Sequence, residues 1–130
     1  MTVVELPLLR RQAYLDGRWV DSDSGQTFPV TNPASGEVIA DVPRLGAAET
    51  HRAIEAAGRA YPEWRSRTAK SRAGILRRLA DLMLDHQEDL ARLLVTEQGK
   101  PLAEARVEIE YAAAFYEWCG EESKRAYGDT

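Results

Sequence analysis

The feature that most constrains this chain is a change of period at Gly46. Before it, short runs of strand formers alternate with Gly, Pro, Asp and Asn; after it, apolar residues recur at intervals of three and four. Such a pattern predicts paired strands first and helices afterwards. Within the first part, Tyr14-Leu15-Asp16-Gly17-Arg18-Trp19-Val20 sets Asp-Gly among strand formers, a hairpin signal. Asp21 to Gln26 reads as a polar turn. Thr27-Phe28-Pro29-Val30-Thr31 then pairs back as a second strand, with Pro29 confining it to an edge. Asn32-Pro33-Ala34-Ser35-Gly36-Glu37 forms a further turn before a short strand around Val38 to Val42.

Beyond Gly46, Ala53, Ile54, Ala57 and Tyr61 lay an apolar stripe on a first helix of about four turns. Pro62 is expected to end or kink it. Thr68 is the expected N-cap of a second helix whose buried face carries Ile75, Leu76, Leu79, Leu82 and Met83. A break at Asp85-His86-Gln87 leads to a shorter third helix with Leu90, Leu93 and Leu94, stopped by Gly99. Pro101 suits the first position of a fourth helix, since its missing N–H would have had no partner there. Ala105, Ile109, Ala112, Tyr116 and Cys119 share one face of that helix. No internal repeat, low-complexity tract or linker divides the 130 residues.

Composition narrows the function classes. Apolar residues make up 44% and charged residues 29%, the balance of a globular protein rather than a disordered or collagen-like one. No apolar run is long enough for a transmembrane helix. The start, MTVVELPLLRRQ, has its basic pair after the apolar run and does not read as a signal peptide, so a cytoplasmic protein is expected. A lone cysteine, Cys119, forms no internal disulfide, which agrees with a reducing compartment. The net charge of −4 comes with acids and bases interspersed. Neither a basic stripe for nucleic acid nor a polybasic membrane patch is present, leaving small molecules or protein as partners.

Several residues invite a chemical reading. Gly99-Lys100 resembles the end of a phosphate loop, but that motif needs a preceding strand, a glycine five residues before Gly99 and Ser or Thr after the lysine. Here Pro101 follows and the preceding segment is helical, so a helix joint is expected. Cys119, at the end of an apolar stripe, reads as a buried small hydrophobe. His51 and His86 have no metal-ligand spacing and belong on helix surfaces or ends. Glu97, Glu104, Glu108 and Glu110, beside Lys100 and Arg106, read as solvated helix faces with i,i+4 pairing. Trp19, Trp64 and Trp118 fall in separate elements and read as packing anchors. On these grounds alone the chain is an α+β protein without a catalytic constellation.

Five motifs in order carry a resemblance. Tyr14 to Val20, Asn32 to Glu37, Tyr61-Pro62-Glu63-Trp64, Glu97-Gln98-Gly99-Lys100-Pro101 and Glu121 to Thr130, with Glu104-Ala105 and Tyr111 to Glu117 between, are together similar to the amino-terminal quarter of the aldehyde dehydrogenase superfamily. The succinate-semialdehyde dehydrogenase branch is the nearest match, from about residue 12 onward.

The resemblance implies an α+β segment, an N-terminal β-hairpin and short strand followed by about four helices, belonging to the Rossmann-like cofactor-binding domain of a larger enzyme. Residues 1–12 would be a flexible leader, 13–45 the hairpin and strand, and 46–130 the helices. The implied reaction oxidises an aldehyde to a carboxylate with NAD or NADP. A cysteine thiolate attacks the carbonyl, hydride passes to the cofactor, and a glutamate-activated water hydrolyses the thioester. An asparagine and a backbone amide form the oxyanion hole. The resemblance places those residues and the dinucleotide site in later parts of such an enzyme, so in this chain the catalytic, cofactor-binding and metal residues are none. Glu97, with the backbone of Val30 and Thr31, matches a region where some members hold a monovalent cation and usually have Asp. A homo-oligomer or association with the rest of the enzyme is implied. The alternative is a stand-alone helical interaction module without catalysis.

Overall fold

The computed structural model describes residues 6–127. Residues 1–5 of the expected leader and 128–130 of the last motif lie outside the described residues. Leu6 to Leu9 form a turn closed by the Leu9 N–H donating to the Leu6 carbonyl at 3.0 Å.

Four strands, β1 (Ala13–Leu15), β2 (Arg18–Val20), β3 (Thr27–Thr31) and β4 (Val38–Pro43), precede four helices, α1 (Ala47–Ser66), α2 (Ala69–Asp85), α3 (Gln87–Gln98) and α4 (Leu102–Glu122). A 3-10 turn at Ser123–Arg125 closes α4. β1 and β2 pair antiparallel with Leu15 opposite Arg18. Asp16 and Gly17 fill the loop at φ 50° and 78°, the left-handed pair a two-residue hairpin needs to match strand twist.

β3 pairs with the strand after it, not with the preceding hairpin, so the strands make two separate two-stranded sheets. The turn between the sheets explains the split. The Ser22 hydroxyl donates to the Gln26 carbonyl at 2.8 Å, and the Asp23 N–H donates to Glu49 of α1 at 3.0 Å. That anchoring carries the chain away from β2. Between β3 and β4, the Asn32 side chain accepts from the Ala34 N–H at 2.9 Å, a turn that competes with further pairing.

Two helices depart from expectation at prolines. α1 runs through Pro62 to Ser66. Proline removes one helical hydrogen bond, to the Gly58 carbonyl, and both residues are exposed, so water can take that bond. Pro101 is the cap before α4 rather than its first residue, with extended backbone at ψ 139°. Thr68 caps α2 as expected, its hydroxyl accepting from the Ser71 N–H at 3.2 Å. Gly99 ends α3 in the left-handed conformation, φ 73°.

The core is made of small residues. α2 and α3 both pack on α4, and the fully enclosed side chains there are Ala73, Ala80, Ala91, Ala105 and Ala113. Gly120 belongs to the same seam: a Cβ on it would lie 3.4 Å from the Ala73 carbonyl oxygen. Small side chains let the helix backbones approach closely. They also leave no larger apolar side chain fully buried. The chain exposes 9573 Å², whereas a compact monomer of 14.5 kDa exposes about 6,900 Å².

Candidate functional site

The Gly99-Lys100-Pro101 joint is a structural corner. The Gly99 N–H donates to the Val95 carbonyl at 2.8 Å. A Cβ at Gly99 would come 3.0 Å from Pro33 Cγ, so the corner presses against the Asn32–Glu37 turn as well as needing positive φ. The Lys100 ammonium is paired with the Glu108 carboxylate two turns into α4. Its charge is spent inside the helix hairpin.

Glu88 and Glu121 pair across helices as well as along the chain. Glu88 of α3 accepts from Arg106 of α4 at 2.8 and 3.0 Å and from Arg92 at 3.1 Å. Those guanidiniums, Arg106 first, hold the Glu88 carboxyl at about 2. The Gln87 amide donates to Glu110 at 2.7 Å and to the Arg106 carbonyl at 3.1 Å. At the far end, Arg77 of α2 pairs with Glu121, which Lys124 also holds at 3.0 Å.

The sequence reading missed Glu49, although an acid at the third position of a helix is a recognisable signal. It is 5% exposed and accepts from the Asp23 and Gly46 N–H groups at 3.0 and 2.9 Å. The Asp23 amide above all, then the amides at the helix start, pull its carboxyl below the usual range. Arg52, paired with Asp23 at 2.7 Å, and Arg59, paired with Asp16 at 3.0 Å, complete the seat of the hairpin on α1. A cleft of about 500 Å³ lies between them, lined by Leu15, Trp19, Val20 and the three arginines Arg18, Arg52 and Arg59.

Other candidates are scattered. Cys119 is exposed, not buried as expected, because the packed face of α4 passes through Gly120 beside it. His51 is on the surface of α1 and His86 at the α2–α3 junction, so neither shares an element with Cys119. Among the described residues no hydrogen bond joins a histidine to a nucleophile, and no group of three His, Cys, Asp or Glu is placed to hold a metal. Glu97 is exposed near the end of α3.

The expected buried faces are only partly buried. Ile54 and Tyr61 of α1 point outward, as do Ile75, Leu79 and Leu82 of α2, while Leu76 and Met83 turn toward the seam. All three tryptophans are exposed: Trp19 stacks edge-on against Tyr14 at 5.1 Å, and Trp118 is 64% exposed. α4 has a second apolar face that one-face reading overlooked: Val107, Tyr111, Phe115 and Trp118. What this arrangement offers chemically is an ion-paired helix hairpin with unfilled apolar faces.

Comparison with known proteins places these features. The aldehyde dehydrogenase family profile matches residues 19–130. The chain is 63% identical over its whole length to a glutarate-semialdehyde dehydrogenase of Pseudomonas aeruginosa, and 58% identical over 95% of its length to the NADP-dependent succinate-semialdehyde dehydrogenase of Escherichia coli. It spans 27% and 26% of those two enzymes. Its fold superposes on a solved NADP-dependent enzyme of Escherichia coli with a TM-score of 0.94, covering 99% of this chain and 27% of that one at 55% identity. A succinate-semialdehyde dehydrogenase of Burkholderia pseudomallei gives 0.92 at 59% identity, covering 95% of this chain and 26% of that one.

Proposed function

The chain belongs to the aldehyde dehydrogenase family, and from that premise we propose that it is the amino-terminal part of a nicotinamide-dependent enzyme that oxidises an anionic semialdehyde to a carboxylate. The observation that carries this reading is the identity of 63% and 58%, over nearly the whole chain, to enzymes named for glutarate and succinate semialdehyde. A 3-sulfolactaldehyde dehydrogenase at 57% identity extends the pattern to another aldehyde with an anionic group. The shared substrate chemistry is an aldehyde at one end and an anion at the other.

In this reading the segment has no direct part in bond making. It supplies helices α2 to α4 as a rigid outer layer, pinned by Arg106–Glu88 and Arg77–Glu121, and a hairpin seated on α1 by Glu49. NAD and NADP are both candidates for the cofactor, since solved relatives include an NADP-dependent enzyme and one in complex with nicotinamide adenine dinucleotide. The complete enzyme is a cytoplasmic homo-oligomer in this proposal; no helix among the described residues is long and apolar enough to cross a membrane.

The test exchanges segments. This chain replaces the matching part of the Escherichia coli enzyme, and reduction of NADP is followed with succinate and glutarate semialdehyde. Turnover with either is expected; a soluble, folded chimera that oxidises neither overturns the reading. In the same chimera Lys100→Ala should leave the KM for cofactor nearly unchanged, because Lys100 is engaged by Glu108. The purified 130-residue chain alone should reduce no cofactor.

A further inference from the structure

Residues 12–25 form an arm attached differently from the rest of the fold. β1 and β2 pair with each other and with no third strand among the described residues, and a lone two-stranded hairpin is marginally stable in water. The arm buries no apolar side chain: Ser22 is its one buried residue, Leu15 and Val20 are half-buried, and Tyr14 and Trp19 are 65% and 47% exposed. Past Gly25 the chain is tied elsewhere, the Arg44 N–H donating to the Gln26 carbonyl at 2.8 Å.

The contacts that join the arm to α1 are mainly polar. Two are exposed ion pairs, Asp16–Arg59 and Asp23–Arg52, and pairs of that kind stabilise little. The third is Glu49, which is 5% exposed and has both carboxylate oxygens engaged. Oε1 accepts from the Asp23 N–H of the arm at 3.0 Å, and Oε2 accepts from the Gly46 N–H at the start of α1 at 2.9 Å. A proton on this carboxyl replaces a charged acceptor by a weaker neutral one just where the arm is held.

We propose that Glu49 is an acid-operated latch: when its carboxylate takes up a proton, residues 12–25 leave α1 as a unit while α2 to α4 stay folded. The Asp23 amide, then the amides at the helix start, hold this carboxyl below its ordinary 4.5. The latch is therefore closed at neutral pH; its contribution is complete above 4.5 and is lost as pH falls through the lowered value. Its charged neighbours are the Asp23 carboxylate and the Arg52 guanidinium, with Asp16, Arg18, Glu55 and Arg59 along the cleft. Arg52 holds the Asp23 carboxyl low as well, so acid weakens that pair in the same direction. Helices α2 to α4 pack on one another through the alanine seam, which carries no such dependence on a carboxylate.

Hydrogen–deuterium exchange read by mass spectrometry on the dilute 130-residue chain, corrected for the intrinsic effect of pH, tests this segment by segment. As pH falls below 4.5, peptides from the arm should lose protection before those from α2 to α4. Simultaneous loss in arm and helices overturns the inference, and this series needs no variant. Glu49→Gln, which sets an amide donor against one of the two N–H groups, should speed exchange in the arm about tenfold at neutral pH, the effect of losing one charge-assisted hydrogen bond. An arm as protected as in the unsubstituted chain overturns the latch. Exchange that rises along the whole of α1 together with the arm also overturns it, and makes α1 part of the released unit. Glu88→Gln removes the same charge between α3 and α4 and should leave the arm unmoved; a faster arm there would assign the effect to net charge rather than to Glu49.

Discussion

At the scale of single residues, two positions combine a backbone demand with a contact. Gly99 needs φ 73° and has Pro33 Cγ 3.0 Å from where a Cβ would sit. Gly99→Ala is therefore expected to cost about 1 to 3 kcal/mol, read as a lower urea midpoint, whereas a change within error would remove both constraints. Glu88 makes a prediction in pH. Its carboxyl is held at about 2, below its ordinary 4.5, so the stability it contributes is complete above 4.5 and is lost as pH falls through 2. The urea midpoint should fall on acidification across that range, and Glu88→Gln should flatten part of the fall. Asp23, Glu49 and Glu121 are shifted in the same direction and should add to the fall. Gly99 was legible as a helix stop because left-handed backbone favours glycine. Cys119 was misread because a stripe drawn at spacings of three and four does not say which edge of a helix face meets a neighbour.

Elements divide by what stabilises them. Local signals were enough for the Asp16-Gly17 hairpin, for Thr68 as a cap and for the break at His86, since each depends on residues within a few positions. Thr68→Ala should lower stability by about 1 kcal/mol in the same denaturation experiment. The seam of α2 and α3 with α4 is different. Ala105 of α4 and Ala91 of α3 are 0% exposed, and Ala105→Leu should destabilise by about 1 to 3 kcal/mol through overpacking. A stabilised Ala105→Leu protein would mean the seam is loose. Alanines carry little weight in a search for apolar stripes, which is why Ile75, Leu79 and Leu82 were assigned to the buried face that Ala73 and Ala80 occupy.

For the whole molecule, the exposed apolar side chains on α1, α2 and α4 set the behaviour of the isolated chain. The total exposed area is larger than that of a compact monomer of this mass, so the 130-residue protein should bind an apolar dye and self-associate. A monomeric mass with a sharp two-state unfolding transition would contradict this. The order of elements, their caps and turns, and the family likeness are determined by the sequence itself, because they depend on local backbone preferences and on motifs in register. Which side of each helix is covered was decided only in three dimensions. Burial depends on what other elements bring to a face: the α2–α4 seam took the alanines, and the larger side chains were left on the opposite sides.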